Sequence, residues 1–286
     1  MNLYSINTGY FKLDGGAMFG VVPKSIWHKI NPADENNMCS WALRCLLVED
    51  GDRLILIDNG MGNKQDAKFF GYYFLHGDDT LDKSLSRHGF HRDDITDVFL
   101  THLHFDHCGG SISRENGKLV PAFKNAVYWS NQEHWNWAIR PNEREKASFL
   151  KENILPIEES GRLKFIEVAK GEEGRLGKTN FSPVMDTRFV NGHTEAMMLP
   201  QLTYKNKILV YMADLLPSQG HIPLPYVMAY DMFPLTTLQE KKSFLDEALE
   251  NDYLLFFEHD PVHECCNLQA TEKGIRPKEF FKLEDM

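Results

Sequence analysis

The sequence predicts an α/β fold in a single domain over residues 1–286, on three observations. Apolar runs of strand length recur at 41–48, 53–57, 95–100, 126–129, 198–204, 207–212 and 253–257, bounded by turn residues. Helix signatures fall between them. His102, His193, Asp214 and His259 each stand at or just past the carboxyl end of a predicted strand, where open sheets place their sites.

Taken in chain order, residues 14–28 contain Gly15-Gly16 and read as a flexible loop presenting Met18 and Phe19. The strands at 41–48 and 53–57 flank Glu49-Asp50-Gly51-Asp52, and Asp-Gly is a hairpin signal. The second of them runs into Asp58-Asn59-Gly60-Met61-Gly62, a tight loop. Residues 69–74, from Phe69 to Phe74, are dense in aromatic side chains and read as irregular. The apolar run Ile95 to Leu100 fits a buried strand ending at Thr101-His102. A strand at 126–129 precedes Asn131, the cap of a helix through Trp137. Trp129, Trp135 and Trp137 are assigned to the core.

In the second half, Arg188-Phe189-Val190 leads into Asn191-Gly192-His193. A hairpin around Lys205-Asn206 follows and runs into Asp214. Thr237-Leu238-Gln239-Glu240 fits a capping box at a helix start, with Phe244, Leu245, Ala248 and Leu249 on one face. Residues 253–257 form the last strand and end at Glu258-His259-Asp260, and the charged segment 272–286 is superficial.

Composition narrows the function classes. Hydrophobic residues make up 42% and charged residues 25%, which excludes a disordered or collagen-like chain. Lys+Arg 31 against Asp+Glu 41 leaves a net charge of −10, the wrong sign for a nucleic-acid or anionic-membrane surface. The 5 cysteines include no Cys-x-x-Cys, so a disulfide framework is not expected and a reducing compartment is. No basic stretch followed by an apolar run opens the chain, and no run approaches 18 apolar residues. A cytoplasmic protein without signal peptide or membrane span is therefore expected.

The segment Thr101-His102-Leu103-His104-Phe105-Asp106-His107 carries the chemistry. Four potential ligands fall within six residues, in a chain with 12 histidines over 286 positions. If the segment begins extended, His102 and His104 point the same way, because side chains repeat every two residues. The chain must then turn, and Asp106 and His107 can aim at a second point. Imidazole and carboxylate are ligands that zinc, iron and manganese accept. Cys108 would have to turn back to reach the same centre and is read as packing. The remaining ligands must come from elsewhere in the chain.

This pattern resembles the metallo-β-lactamase superfamily, over most of the chain from Leu54-Ile-Leu-Ile-Asp58-Asn-Gly60 to Phe256-Phe-Glu-His259. The resemblance implies a four-layered αββα sandwich with a dinuclear site at one edge. It implies that His102, His104 and His193 bind one metal and that Asp106, His107 and His259 bind the other. Asp214, in Met212-Ala213-Asp214, matches the bridging carboxylate. The spacings of 86 residues from His107 to His193, 21 to Asp214 and 45 to His259 are ordinary for the family. Asp58 matches an aspartate that supports a ligand histidine without ligating.

Two metals roughly 3.5–4 Å apart can share one water and ionise it near neutral pH. The implied reaction is therefore hydrolysis by a metal-bridging hydroxide, with Asp106 first a ligand and second a proton carrier. Two divalent ions are implied, zinc before manganese or iron. True β-lactamases of the superfamily lack the Asp214 equivalent, so its presence points to the lactonase, glyoxalase II or phosphotriesterase-like branches. Flavodiiron oxidoreductases carry Glu where this chain has His104, and persulfide dioxygenases use a single iron. The expected substrate is a lactone or ester of a small, partly apolar molecule. Phosphotriester or phosphodiester hydrolysis is the alternative, ahead of a thioesterase or an iron redox enzyme.

Substrate-facing positions come from loops. Met18 and Phe19 resemble the overhanging loop of lactonase-like members. Lactonases often use a tyrosine three residues after the bridging aspartate, where this chain has Pro217. His221, Tyr226 and Tyr230 on the same loop are then the candidates to hold the substrate oxygen. The aromatic segment 69–74 is either a pocket wall, core or the contact of a homodimer.

Overall fold

The run Arg53–Ile57 is buried from Leu54 onward, as a strand inside a sheet with both faces covered must be. It belongs to a computed structural model that describes residues 1–171 and 176–286. The chain divides into two compact units: Met1–Gly9 with Leu43–Val168, and Tyr10–Ala42 with Ala169–Met286. Each holds one large sheet with helices, a mixed α/β organisation.

Among the described residues one large sheet has six strands. They are β1 (Asn2–Asp14), β2 (Met38–Asp50), β3 (Arg53–Ile57), β4 (Asp97–Phe99), β7 (Val127–Asn131) and β8 (Leu163–Ile166), in the order β1-β2-β3-β4-β7-β8. The intervening β5 (Ile112–Glu115) and β6 (Lys118–Pro121) form a separate hairpin. β2 and β3 pair antiparallel with Asp50 opposite Arg53; the expected hairpin forms, but its two turn residues are Gly51-Asp52, with Gly51 at φ 59° in the first central position. β3, β4, β7 and β8 run parallel. Ile55, Leu56, Ile57, Val98 and Phe99 are fully buried, each contributing about 1.5–3 kcal/mol. Asn131 accepts a hydrogen bond from the His134 amide at 2.8 Å and caps the helix Gln132–Ile139.

The second unit's sheet has seven strands: β9 (Lys178–Ser182), β10 (Met185–Val190), β11 (Met197–Tyr204), β12 (Lys207–Tyr211), β13 (Leu254–Phe256), β14 (Cys265–Thr271) and β15 (Gly274–Phe281). Neighbours are antiparallel except β12 and β13. That parallel pair needs a crossover, and the helix Pro234–Glu250 supplies it. Phe244, Leu245 and Ala248 are buried as its apolar face, with Leu249 only half-buried.

Several local expectations are corrected. β1 was not foreseen because its burial follows positions 3, 6, 9 and 11, not a period of two. Residues 14–28 are not a flexible loop: Asp14 accepts from the Ala17 amide and caps the helix Gly15–Phe19. Residues 69–74 are not irregular, since Asp66 caps the helix Ala67–Tyr73 through the Phe69 amide. Segment 272–286 is superficial as expected, but it also contributes β15, whose charged, exposed residues suit a sheet edge. Thr237 to Glu240 is no capping box. The helix begins at Pro234, which fits the first turn because its missing N–H is an orphan there.

Candidate metal centre

The proposed ligands stand in loops that leave strand ends. In the first unit Asp58 follows β3 directly, and Thr101-His102 follows β4. The short helix Phe105–Cys108 then turns the chain, with His104 extended ahead of it at φ −65°, ψ 151°. As alternation requires, His102 Nε2 and His104 Nδ1 come within 3.0 Å of each other. His107 Nε2 lies 3.9 Å from an Asp106 carboxylate oxygen, a second donor pair after the turn. Close backbone approach supports this loop: a Cβ on Gly109 would meet the Met61 carbonyl oxygen at 2.2 Å.

In the second unit, His193, Asp214 and His259 each fall three residues beyond β10, β12 and β13 respectively. Asp214 faces two histidines at once. One carboxylate oxygen is 3.1 Å from His193 Nε2 and the other 3.3 Å from His259 Nε2.

The second nitrogen of every one of these histidines is tied to an acceptor. His107 Nδ1 donates to Asp58 at 3.1 Å. His102 Nδ1 donates to the Thr101 hydroxyl at 3.1 Å, and that hydroxyl donates to Asp58 at 2.7 Å. Asp58 Oδ1 also accepts the Thr101 amide at 2.8 Å. His104 Nε2 faces Glu145 at 3.3 Å. In the second unit His193 Nδ1 donates to Asp231 at 2.9 Å, and His259 Nδ1 to the Ala42 carbonyl at 2.8 Å. A donor so anchored turns the other ring nitrogen toward the site, and ligation there requires that nitrogen to give up any proton it carries. The chemistry of these donors therefore fits a divalent metal.

Electrostatics agree. Burial opposes a charge on His193, but Asp214 and Asp231 outweigh it and push the imidazole up to about 10. Such excess negative charge suits a cation. The Tyr73 hydroxyl is pushed up to about 12 by burial and then by the Asp106 carboxylate, and its ring lies 4.6 Å from that of Phe105.

Glu145, Asp231 and Ala42 were missed by sequence reasoning. Glu145 is buried and held by Trp137 and Asn142 at 2.6 and 2.8 Å. No local pattern marks it, since its partner His104 is 41 positions away. The substrate-side residues divide. Met18, Phe19 and His221 are buried, Tyr226 is half-buried and Tyr230 exposed. Phe19 stacks on Trp27 and on His221 at 5.4 and 4.8 Å. Both nitrogens of His221 are engaged, Nδ1 with the Ser218 hydroxyl at 2.8 Å and Nε2 with the Met18 carbonyl at 2.9 Å. With no nitrogen left over, His221 builds the wall of this loop and does not donate to a substrate oxygen.

The Metallo-beta-lactamase superfamily model matches residues 44–259. The chain belongs to this superfamily. Within the superfamily, N-acyl homoserine lactonase AiiA of Bacillus thuringiensis subsp. kurstaki is 29% identical over 164 residues, 54% of this chain and 56% of that protein. An N-acyl homoserine lactonase of Bacillus cereus is 27% identical over 142 residues, 46% of this chain and 50% of that protein. The chain thus spans about half the length of the curated relatives it matches. A solved probable metal-dependent hydrolase from Staphylococcus aureus superposes with TM-score 0.87 at 26% identity, over 98% of this chain and 96% of that one. AidC, a dizinc quorum-quenching lactonase, shares the fold with TM-score 0.75 at 23% identity, over 98% of this chain and 95% of that one. The metallo-β-lactamase fold is thereby established. Among the described residues no helix is long and apolar enough to cross a membrane.

Proposed function

We propose that this superfamily member is a dinuclear metal-dependent hydrolase acting on a lactone or ester of a small, partly apolar molecule. His102, His104 and His193 would hold one divalent ion and Asp106, His107 and His259 the other, with Asp214 as the carboxylate shared between them. The observation that carries this reading is Asp214, whose two oxygens each face a different histidine at 3.1 and 3.3 Å. A carboxylate so placed suits two cations. The histidine and carboxylate donors suit zinc first, and manganese or iron also. The matched relatives named as lactonases support the substrate class.

Divalent ions held by these residues would supply Lewis acidity and a water ionised near neutral pH. Every other role falls to the chain. Asp58, Glu145 and Asp231 hold their histidines in the ligating tautomer. Asp106 carries the proton from the attacking water to the leaving alkoxide. Tyr226 and Tyr230, on the loop that begins at Asp214, are the candidates to hold the substrate oxygen, while Met18, Phe19 and His221 shape that loop from behind.

Elemental analysis of the purified protein, beside a panel of lactones, thioesters and phosphate esters, tests the reading. About two zinc ions per chain and turnover greatest on lactones or esters are expected. Asp106→Ala and His107→Ala should lose activity by several orders of magnitude while keeping the fold. Near-unchanged turnover in either variant overturns the mechanism. Greater activity on paraoxon or bis-p-nitrophenyl phosphate moves the substrate to the phosphate esters.

A further inference from the structure

The crossover helix Pro234–Glu250 buries two adjacent charged residues, Glu240 at 9% exposure and Lys241 at 0%. Burying charge is expensive unless it is compensated. Neither finds its compensation in the other. Glu240 accepts the backbone amides of Asn191 and Gly192 at 2.7 and 3.0 Å. Lys241 donates to the carbonyls of Pro223, Leu224 and Tyr226 at 3.1, 3.3 and 2.7 Å. The first set lies immediately before His193, and the second lies on the loop between Asp214 and Asp231.

Both loops end on the same imidazole. His193 follows Gly192 directly, and its Nδ1 is held by Asp231. The amides of Met232 and Phe233 close the arrangement by donating to the carbonyls of His193 and Gly192 at 3.1 and 2.8 Å. The contact leaves no slack: a Cβ on Gly192 would lie 2.3 Å from the Thr237 nitrogen on that helix. An uncharged pair would serve a plain core more cheaply, since burial pushes Glu240 up to about 7 and Lys241 down to about 7.

We infer that Glu240 and Lys241 are positioning residues, the acid fixing the backbone that aims His193 at the metal and the base fixing the substrate-side loop at 223–226. This deepens the proposed function and rests on His193 being a ligand. The two charges divide the labour by loop, so their substitutions have separable consequences. Glu240→Gln keeps the shape, but its amide offers one acceptor where two N–H groups need one each, and its NH2 opposes the other donor. Lys241→Met keeps length and apolarity and removes all three donors.

Zinc affinity by competition with a chromophoric chelator, measured beside kcat and KM for a lactone, tests this. Glu240→Gln is expected to weaken zinc binding about tenfold or more, with the far-UV spectrum and the metal-free unfolding midpoint little changed. Lys241→Met is expected to raise KM several-fold while zinc affinity stays within about twofold of wild type. Unchanged zinc affinity in Glu240→Gln with a lowered midpoint overturns the inference and leaves Glu240 a stabilising contact only. Loss of fold in this isosteric variant overturns it as well. The milder Lys241→Gln keeps the second arm readable if Lys241→Met does not fold, and an unchanged KM there refutes the loop role. His193→Ala is the control for the underlying reading. If it binds two zinc ions like wild type, the metal assignment itself has failed, whatever Glu240→Gln does.

Discussion

Asp58→Asn isolates the role of a single buried carboxylate. Asp58 has no exposure and accepts three hydrogen bonds, from the Thr101 amide at 2.8 Å, the Thr101 hydroxyl at 2.7 Å and His107 Nδ1 at 3.1 Å. Asparagine fills the same volume and tolerates the left-handed backbone, φ 55°, found there. The fold should therefore survive. The amide has only one acceptor oxygen. Turned toward the Thr101 amide, it sets its NH2 against the Nδ1–H of His107. The imidazole answers by moving its proton to Nε2, the nitrogen needed for ligation. Turned the other way, its NH2 opposes the single backbone N–H of Thr101. Either arrangement leaves a donor facing a donor, at a cost of about 1–3 kcal/mol. The expected loss of zinc affinity is about 10- to 100-fold, which is about 1.4–2.8 kcal/mol. Chelator competition on the purified variant reads this directly, with circular dichroism confirming the fold. Wild-type zinc affinity in folded Asp58→Asn would show that the tautomer argument is wrong.

Two further outcomes are expected. The His193 imidazole is raised to about 10 in the metal-free protein. Its protonation therefore stabilises that form fully below about 6.5 and is lost as pH rises through about 10. Zinc must displace this proton, so competition titrations at pH 7 and 9 should show affinity rising about tenfold per pH unit from this group; a flat profile refutes the assignment. Gly109→Ala would set a Cβ 2.2 Å from the Met61 carbonyl oxygen and 2.6 Å from its carbon. Backbone must shift, and a loss of about 1–3 kcal/mol is expected in thermal or urea unfolding; an unchanged midpoint would mean that the 58–62 and 105–111 segments are not so tightly joined.

The sequence by itself determined the elements whose cause is local. The Gly51 turn between β2 and β3, the Asn131 cap and the hairpin at Lys205-Asn206, where both turn residues take positive φ, follow from backbone chemistry within a few residues. The run from His102 to His107 likewise displays its ligand character in its own spacing, and alternation alone aims His102 and His104 together. Tertiary structure decided what depends on distant partners. Glu145, Asp231 and the Ala42 carbonyl set the tautomers of His104, His193 and His259 from 41, 38 and 217 positions away, and no periodicity records such a partner. Glu240 shows the two levels in competition: its spacing from Thr237 fits a local cap, yet its carboxylate serves the amides of Asn191 and Gly192, because a buried donor pair without an acceptor costs more than an exposed helix end.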